Sequence, residues 1–475
     1  MAERPEKTSI IPPERQERNP LLTDEGYAAL QAMVQHPDAP RWNYEVGDRL
    51  TPEDLPALAD FRARVGRQRP GADPFPDEEI RQRIQLWREV VPRIRDMVPA
   101  GTDLVREWPH LPTMNRDDLV RRPESLLPAG ADLTRLIVYD TSGTTGHALR
   151  VPHHPLANAF NLLLLEWLLL RYGIRLETGP GHTAAINVCA QARTVTFATV
   201  FTAWNQSCFA KVNLHPDDWP DRAAARRFFR DMAPQLLSGD PVSFAEMIRW
   251  EIRLSPRALI STALELTVGF REHLAEWFGC PVIDTYATTE TGPVAYACPD
   301  DNGWHLLPPD LFIEALDTDG RPQPAGERGE LAVTGGRNPY VPLLRYRTGD
   351  FGRVDRSAYS CGDTAPRILD LQGRRPVFFR ATDGSVINAV DVGRVLREFL
   401  FVRHRFVQRR DGRCEVALQP LPGCDLDETA IGERLRALFG ADAVIDVHIM
   451  PSDGATPDDV KMIPYRSEIE LEPPV

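Results

Sequence analysis

No stretch of the 475 residues is apolar for long enough to cross a bilayer. The nearest approach, Leu162 to Leu170, is interrupted by Glu166 and flanked by Pro155 and Arg171, which predicts a buried helix instead. The opening residues, Met1 to Lys7, contain no apolar segment, so no secretory signal is expected. A disulfide framework is missing too. Seven cysteines, an odd number and widely scattered, fit a reduced, cytoplasmic protein. Nor is there a basic surplus: 55 Lys and Arg face 68 Asp and Glu, a net charge of −13, which argues against nucleic acid or an anionic membrane as partner. Internal repeats and low-complexity tracts are absent, as is the Gly-Lys-Ser/Thr of a Walker loop.

What is present is the composition of a globular protein, 42% hydrophobic and 26% charged, in a chain too long for one core. Its central stretch is Tyr139-Asp140-Thr141-Ser142-Gly143-Thr144-Thr145-Gly146-His147, between apolar runs at 136–139 and 148–151 that predict a strand on either side. Glycines let successive backbone N–H groups face one anion, and small hydroxyls add donors without blocking its approach.

Before this loop the pattern from Leu22 to Val98 is helical, and Asn115 is placed to cap a short helix. After it, Leu156 to Tyr172 predicts a long helix. Ala184 to Phe201 and Phe244 to Trp250 are candidate pocket walls, with His182, Asn187 and Trp204 as candidate contacts. The clearest α/β unit is a helix over 270–278, closed by Gly279, then a strand ending at Tyr286. The polar run Ala287 to Gly292 sits at that strand's carboxyl end, where open α/β sheets bind ligands. Residues 303–354 are β-rich, and the last hundred alternate strands and helices as a small lid domain would. The expected division is a helical N-terminal extension (1–105), a core (106–372) and a lid (373–475).

Three motifs thus stand in fixed order: Thr141 to Gly146, Tyr286-Ala287-Thr288-Thr289-Glu290, and Tyr346-Arg347-Thr348-Gly349-Asp350. With Gly373-Arg374 they resemble the adenylate-forming superfamily of acyl-CoA synthetases, adenylation domains and luciferases. Leu111 to Leu119, Gly292-Pro293-Val294-Ala295 and Gly303-Trp304-His305 are similar to the phenylacetate–CoA ligase branch. The likeness runs from about residue 105 to the C-terminus and weakens after 375. It implies an α/β fold: a large N-terminal α/β domain with a β-rich subdomain, plus a small mobile C-terminal α+β lid.

The resemblance also implies the chemistry. A small, aromatic carboxylic acid attacks the α-phosphate of ATP, and the acyl group then passes from the adenylate to CoA. Ser142, Gly143, Thr144, Thr145 and Gly146 would hold the β- and γ-phosphates, and Glu290 would bind Mg²⁺. Thr289 would contact the α-phosphate or the acid. Tyr286 would stack on adenine, with backbone contacts from Ala263, Leu264 and Glu265. Asp350 would accept from the ribose hydroxyls, Arg374 would reach ribose or phosphate, and Lys461 would swing onto the acyl-phosphate region. Homodimers occur among such proteins.

The chain departs from the pattern in four places. His147 stands where relatives keep lysine, which would make phosphate charge compensation weaker or pH-dependent. Pro376 stands at the hinge position, and the 383–389 loop keeps Gly384 but lacks its proline. Adenylation is therefore better supported than transfer to CoA, and an amine, alcohol or carrier thiol is the alternative acceptor. A non-catalytic nucleotide-binding homologue is the other alternative. Finally, a zinc site of Cys, His and Cys-x-Cys in some relatives is reduced here to Cys298, His305 and Cys361, one thiolate short.

Overall fold

The computed structural model describes residues 10–66, 75–140, 149–298, 303–357, 361, 363, 365–373, 377–451 and 464–469. It shows the expected plan, a large α/β domain continued by antiparallel strands and a smaller C-terminal α+β region.

A hairpin of β1 (Ile137–Asp140) and β2 (Arg150–His153) flanks the glycine-rich segment, with Tyr139 opposite Val151. The main sheet begins with β3 (Thr183–Cys189), β4 (Phe197–Phe201), β5 (Ser207–Asn213), β6 (Leu236–Gly239), β7 (Ala258–Ser261) and β8 (Val282–Thr288). Of these, β5, β3, β6, β7 and β8 run parallel, in that order, and β4 is an antiparallel edge. All four residues of β7 are buried, as expected of a strand covered on both faces.

The covering helices carry their signals in sequence. Asp221, Asp240 and Thr267 each cap a helix through the side chain, and Gly279 ends the third at φ +66°, a conformation that favours glycine. Helix 155–171 packs Phe160 against Phe61 at 4.0 Å between ring centroids.

At β8 the sheet changes direction. It continues antiparallel through β9 (Gly292–Ala297), β10 (Trp304–Leu306), β11 (Leu311–Leu316), β12 (Arg328–Gly335), β13 (Leu343–Asp355) and β14 (Arg367–Gln372). The order from β8 outward is β9, β10, β14, β13, β12, β11, twelve strands in all among the described residues. The polar run Thr289 to Thr291 is the corner where the parallel half becomes the antiparallel half.

The first hundred residues help to build these cores. Leu30 and Met33 join the cluster under β4 and β5, while Ile80 and Ile84 pack with Val341 and Leu343. Arg64 and Arg83 clasp the buried Asp310 at 2.5 and 2.7 Å.

The C-terminal region comprises β15 (Phe378–Arg380) paired with β16 (Val386–Asn388), and a four-stranded sheet of β17 (Phe401–Gln408), β18 (Cys414–Pro420), β19 (Ile445–Ile449) and β20 (Tyr465–Ser467). It has its own core around Phe379, Phe406 and Phe439. Val402 and Leu421 insert into the main domain's cluster, and Arg397 pairs with Glu265 at 2.8 Å.

Candidate active site

The corner between β8 and β9 is shaped by its own side chains. The Thr291 N–H donates to Thr288 Oγ1 (3.2 Å), the two threonine hydroxyls share a bond of 2.9 Å, and Thr291 Oγ1 donates to the Gly292 carbonyl (2.9 Å). Gly292 has φ +70°, and a Cβ there would stand 2.5 Å from the Asn161 side chain, so glycine is required twice over. The turn leaves the Glu290 carboxylate half-buried. Its Oε1 accepts from the Tyr346 hydroxyl at 2.8 Å, and among the described residues nothing donates to Oε2.

A second carboxylate lies on β13. Gly349, at φ +81°, turns the strand, and its N–H donates to Glu330 Oε1 (3.2 Å). The Asp350 N–H donates to Thr348 Oγ1 (3.1 Å), and Asp350 Oδ2 accepts from the Tyr286 hydroxyl at 2.7 Å. Gly373 adjoins the other oxygen, since a Cβ there would lie 3.5 Å from Oδ1.

The third link comes from β2. His153 Nε2 lies 3.0 Å from the Thr289 carbonyl, and only a protonated nitrogen can bond it, so Nε2 carries the hydrogen. Burial pulls the ring's pKa down to about 4, which keeps it neutral at physiological pH. Tyr139 of β1 packs edge-on against this imidazole at 4.8 Å, and Asn158 donates to the Tyr139 hydroxyl (2.9 Å). The hairpin that carries the glycine-rich segment is thereby fastened to the Thr289–Glu290 corner. The phenols of Tyr286 and Tyr346 are raised by burial and by the carboxylates they face, so both are neutral donors.

Two sequence motifs, and the strands that flank a third, are far apart along the chain and are thus cross-linked around two carboxylates at the carboxyl end of a parallel sheet. Residues 94–338 match the profile of the family described as AMP-binding enzyme. The chain belongs to that family.

Two curated proteins are similar to part of the chain, and a solved structure shares the fold. The phenylacetate-coenzyme A ligase of Thermus thermophilus is 28% identical over 207 residues, 40% of this chain and 45% of that protein. The acetyl-coenzyme A synthetase of Wolinella succinogenes is 35% identical over 113 residues, 22% of this chain and 15% of that protein. The chain therefore spans less than half the length of either curated relative. A crystal structure of 2-hydroxyisobutyryl-CoA ligase in the postadenylation state superposes with a TM-score of 0.60 at 17% identity, covering 89% of this chain and 95% of that one.

Among the residues expected to serve this AMP-binding enzyme, Thr289, Glu290, Tyr286 and Asp350 converge in the structure. Ser142, Gly143, Thr144, Thr145, Gly146, His147, Arg374 and Lys461 lie outside the described residues, as does Pro376. Ala263 to Glu265 follow β7, and the loop crosses the strand ends: Thr262 N–H donates to the Gly239 carbonyl at 3.0 Å, and Ala263 holds φ +72°. The Glu265 side chain is engaged by Arg397 of the C-terminal region, a role the sequence did not suggest. Asn187 donates to Ser238 Oγ (3.0 Å) at the strand ends, whereas Trp204 is buried in the core and His182 lies near Glu177 on the surface.

Cys298, His305 and Cys361 do come together, their ligand atoms within 4.8 Å of one another, with Cys361 Sγ 3.3 Å from His305 Nε2. The neighbouring carboxylate, Asp363, is committed elsewhere. It accepts from Tyr296 (2.9 Å), from Arg171 (2.7 Å) and from the Ala365 N–H (2.9 Å).

Sequence reasoning missed Tyr346 and His153 as working side chains, because a strand tyrosine or histidine beside apolar neighbours reads as core. It also missed Asp284, which is only 7% exposed on β8. Burial, with Glu265 nearby, raises its carboxyl well above the ordinary value. The folded protein therefore holds this proton more tightly than the unfolded chain does. Its contribution is intact below the unfolded pKa, near ~3.9, and is lost as pH climbs toward the folded value. Asp284→Asn removes the ionisation. Its melting temperature should match wild type near pH 4 and exceed it by a margin that widens toward pH 8. Parallel curves across that range would show that Asp284 does not titrate as buried.

Proposed function

We propose that this chain is an ATP-dependent acid–CoA ligase that adenylates a small carboxylic acid. The observation that carries the reading is the convergence of Glu290 and Asp350, each braced by a tyrosine, at the end of β8. An acid carboxylate oxygen bonds to the α-phosphorus as the bond to the bridging oxygen of pyrophosphate breaks. CoA thiolate then attacks the acyl carbon of the adenylate and releases AMP. The chain's task is to hold the reactants in line and to stabilise charge.

In this reading Asp350 accepts from the ribose hydroxyls and Thr289 meets the α-phosphate or the acid. Tyr286 borders the adenine, which the Ala263 to Glu265 loop contacts through its backbone. Ser142 to Gly146 cradle the outer phosphates, with His147 beside them, and Arg374 approaches the ribose. Lys461 is one of only three lysines in the chain, with Lys7 and Lys211, against 52 arginines. Its place in Val460-Lys461-Met462-Ile463-Pro464 supports its assignment to the acyl-phosphate oxygens. Glu290 fits a magnesium ion. It is a hard oxygen donor with one oxygen fixed and the other bare, and no cation among the described residues pairs with it. Bound there, Mg²⁺ would neutralise phosphate charge.

The branch-like segments and the Thermus thermophilus match favour an aromatic acid. The test is ATP–pyrophosphate exchange with a panel of aryl and short aliphatic acids, with acyl-CoA measured when CoA is present. Exchange with an aryl acid and CoA-dependent thioester are expected. No exchange with any acid overturns the reading. Adenylate that accumulates regardless of CoA points instead to another acceptor, which the altered 383–389 loop and Pro376 favour.

Among the described residues the Cys298–His305–Cys361 cluster gives three donors, where a structural zinc takes four. With Asp363 committed to other partners, we read it as a hydrogen-bonded cluster. Metal analysis of dialysed protein should find far less than one zinc per chain, and a stoichiometric zinc would refute this.

A further inference from the structure

The two tyrosine–carboxylate bonds run in opposite directions between the same two strands. Tyr346 of β13 donates to Glu290 at the end of β8, and Tyr286 of β8 donates to Asp350 of β13, at 2.8 and 2.7 Å. These strands are not neighbours, because β9, β10 and β14 lie between them in the sheet. The sheet must therefore curl until its two flanks meet, and the crossed bonds fasten them where they meet. Tyr346 is 2% exposed and Tyr286 is half-buried, so both rings are themselves held by packing.

The backbone aims Tyr346 deliberately. Arg345 before it has φ +47°, and the β12–β13 register shifts at the same place. Met114 bridges Tyr346 from the far side: its N–H donates to the Arg345 carbonyl (3.2 Å) and its carbonyl accepts from the Arg347 N–H (2.8 Å). A strained neighbour and backbone anchors on both sides are an expensive way to place a core ring and an effective way to place a hydroxyl.

We propose that Tyr346 and Tyr286 are crossed positioning residues, each fixing the ligand-facing carboxylate supplied by the other's flank. One brace then sets both the orientation of Glu290 toward a divalent cation and that of Asp350 toward a ribose. Neither phenol moves a proton. Each removes rotamers from a carboxylate that must already be in place when nucleotide arrives. The inference rests on the function proposed above and assigns it two further residues.

Tyrosine to phenylalanine keeps the ring and deletes one hydrogen bond to a charged group, a loss worth about tenfold. Tyr346→Phe should raise the Mg²⁺ concentration for half-maximal ATP–pyrophosphate exchange about tenfold. The Mg²⁺ dependence of ATP binding by calorimetry should shift equally, and the rate at saturating Mg²⁺ should change much less. Tyr286→Phe should instead cut the preference for ATP over 2′-deoxy-ATP about tenfold and leave the Mg²⁺ curve nearer to wild type. Melting without ligand reports packing separately. If both variants only melt lower, with metal dependence and sugar discrimination unmoved, the tyrosines are structural and the inference is wrong. Should one variant not fold, the other decides by the same readouts. A wild-type protein that neither exchanges nor binds ATP defeats the proposed function itself. An active wild type with unshifted variants defeats only the brace.

Discussion

Glu290→Gln should stay folded and lose ATP–pyrophosphate exchange by a factor on the order of 10² to 10³, the cost of removing one group aimed at transition-state charge. Glutamine is isosteric and its carbonyl can still accept from Tyr346, so the corner at Thr288 to Gly292 keeps its bonds. What disappears is the negative charge, and with it the hard donor that a magnesium ion prefers. The loss should therefore be partly recovered at high Mg²⁺, and the melting curve without ligand should stay close to wild type. Exchange within a few-fold of wild type, in a variant that melts normally, would remove Glu290 from the site.

The parts of the site that are legible in the sequence are the local ones. The corner at Glu290 needs threonines and a glycine at fixed offsets, and the turn at Asp350 needs Gly349, so both appear as short strings. The flanking strands of the hairpin, the capped helices and the closing Gly279 are local in the same way. What holds the strings together is not. Tyr346 to Glu290 spans 56 residues and His153 to Thr289 spans 136, and each bond depends on how far the sheet curls. No periodicity announces that β13 bends back toward β8. The role of the opening helices was illegible for the same reason. Arg64 and Arg83 look like ordinary helix-surface charges until Asp310, more than two hundred residues later, arrives between them. Glu265 is non-local in the same way. Besides its expected backbone place in the loop after β7, its side chain reaches a helix end in the C-terminal region.

The largest stability effect should come from the support behind Tyr346. Arg345 is fully buried, with 0% exposure, and Glu314 is 4% exposed on the next-but-one strand. The guanidinium donates to Glu314 Oε1 at 2.9 Å, to the Gly320 carbonyl at 2.8 Å and to the Leu111 carbonyl. Trp108 completes the group, its indole N–H donating to Glu314 Oε2 at 3.1 Å while its ring lies 5.6 Å from the guanidinium. Taking two charges out of water is costly, and the pair is tolerable only because nearly every donor and acceptor is met. Glu314→Ala leaves a buried cation and an indole N–H without their acceptor. Denaturant unfolding should show a loss of about 3 to 5 kcal/mol. Glu314→Gln, which keeps acceptor and shape, should lose less. Combining Glu314→Leu with Arg345→Met removes both charges and should recover part of what Glu314→Ala loses, since an apolar pair of similar volume is often neutral or better. Its catalytic consequence should not recover. Arg345 holds the left-handed kink that turns Tyr346 toward Glu290, so the apolar pair should regain part of the lost stability and still need more Mg²⁺ for exchange. A double variant with both stability and metal dependence restored would show that the buried charges serve packing alone.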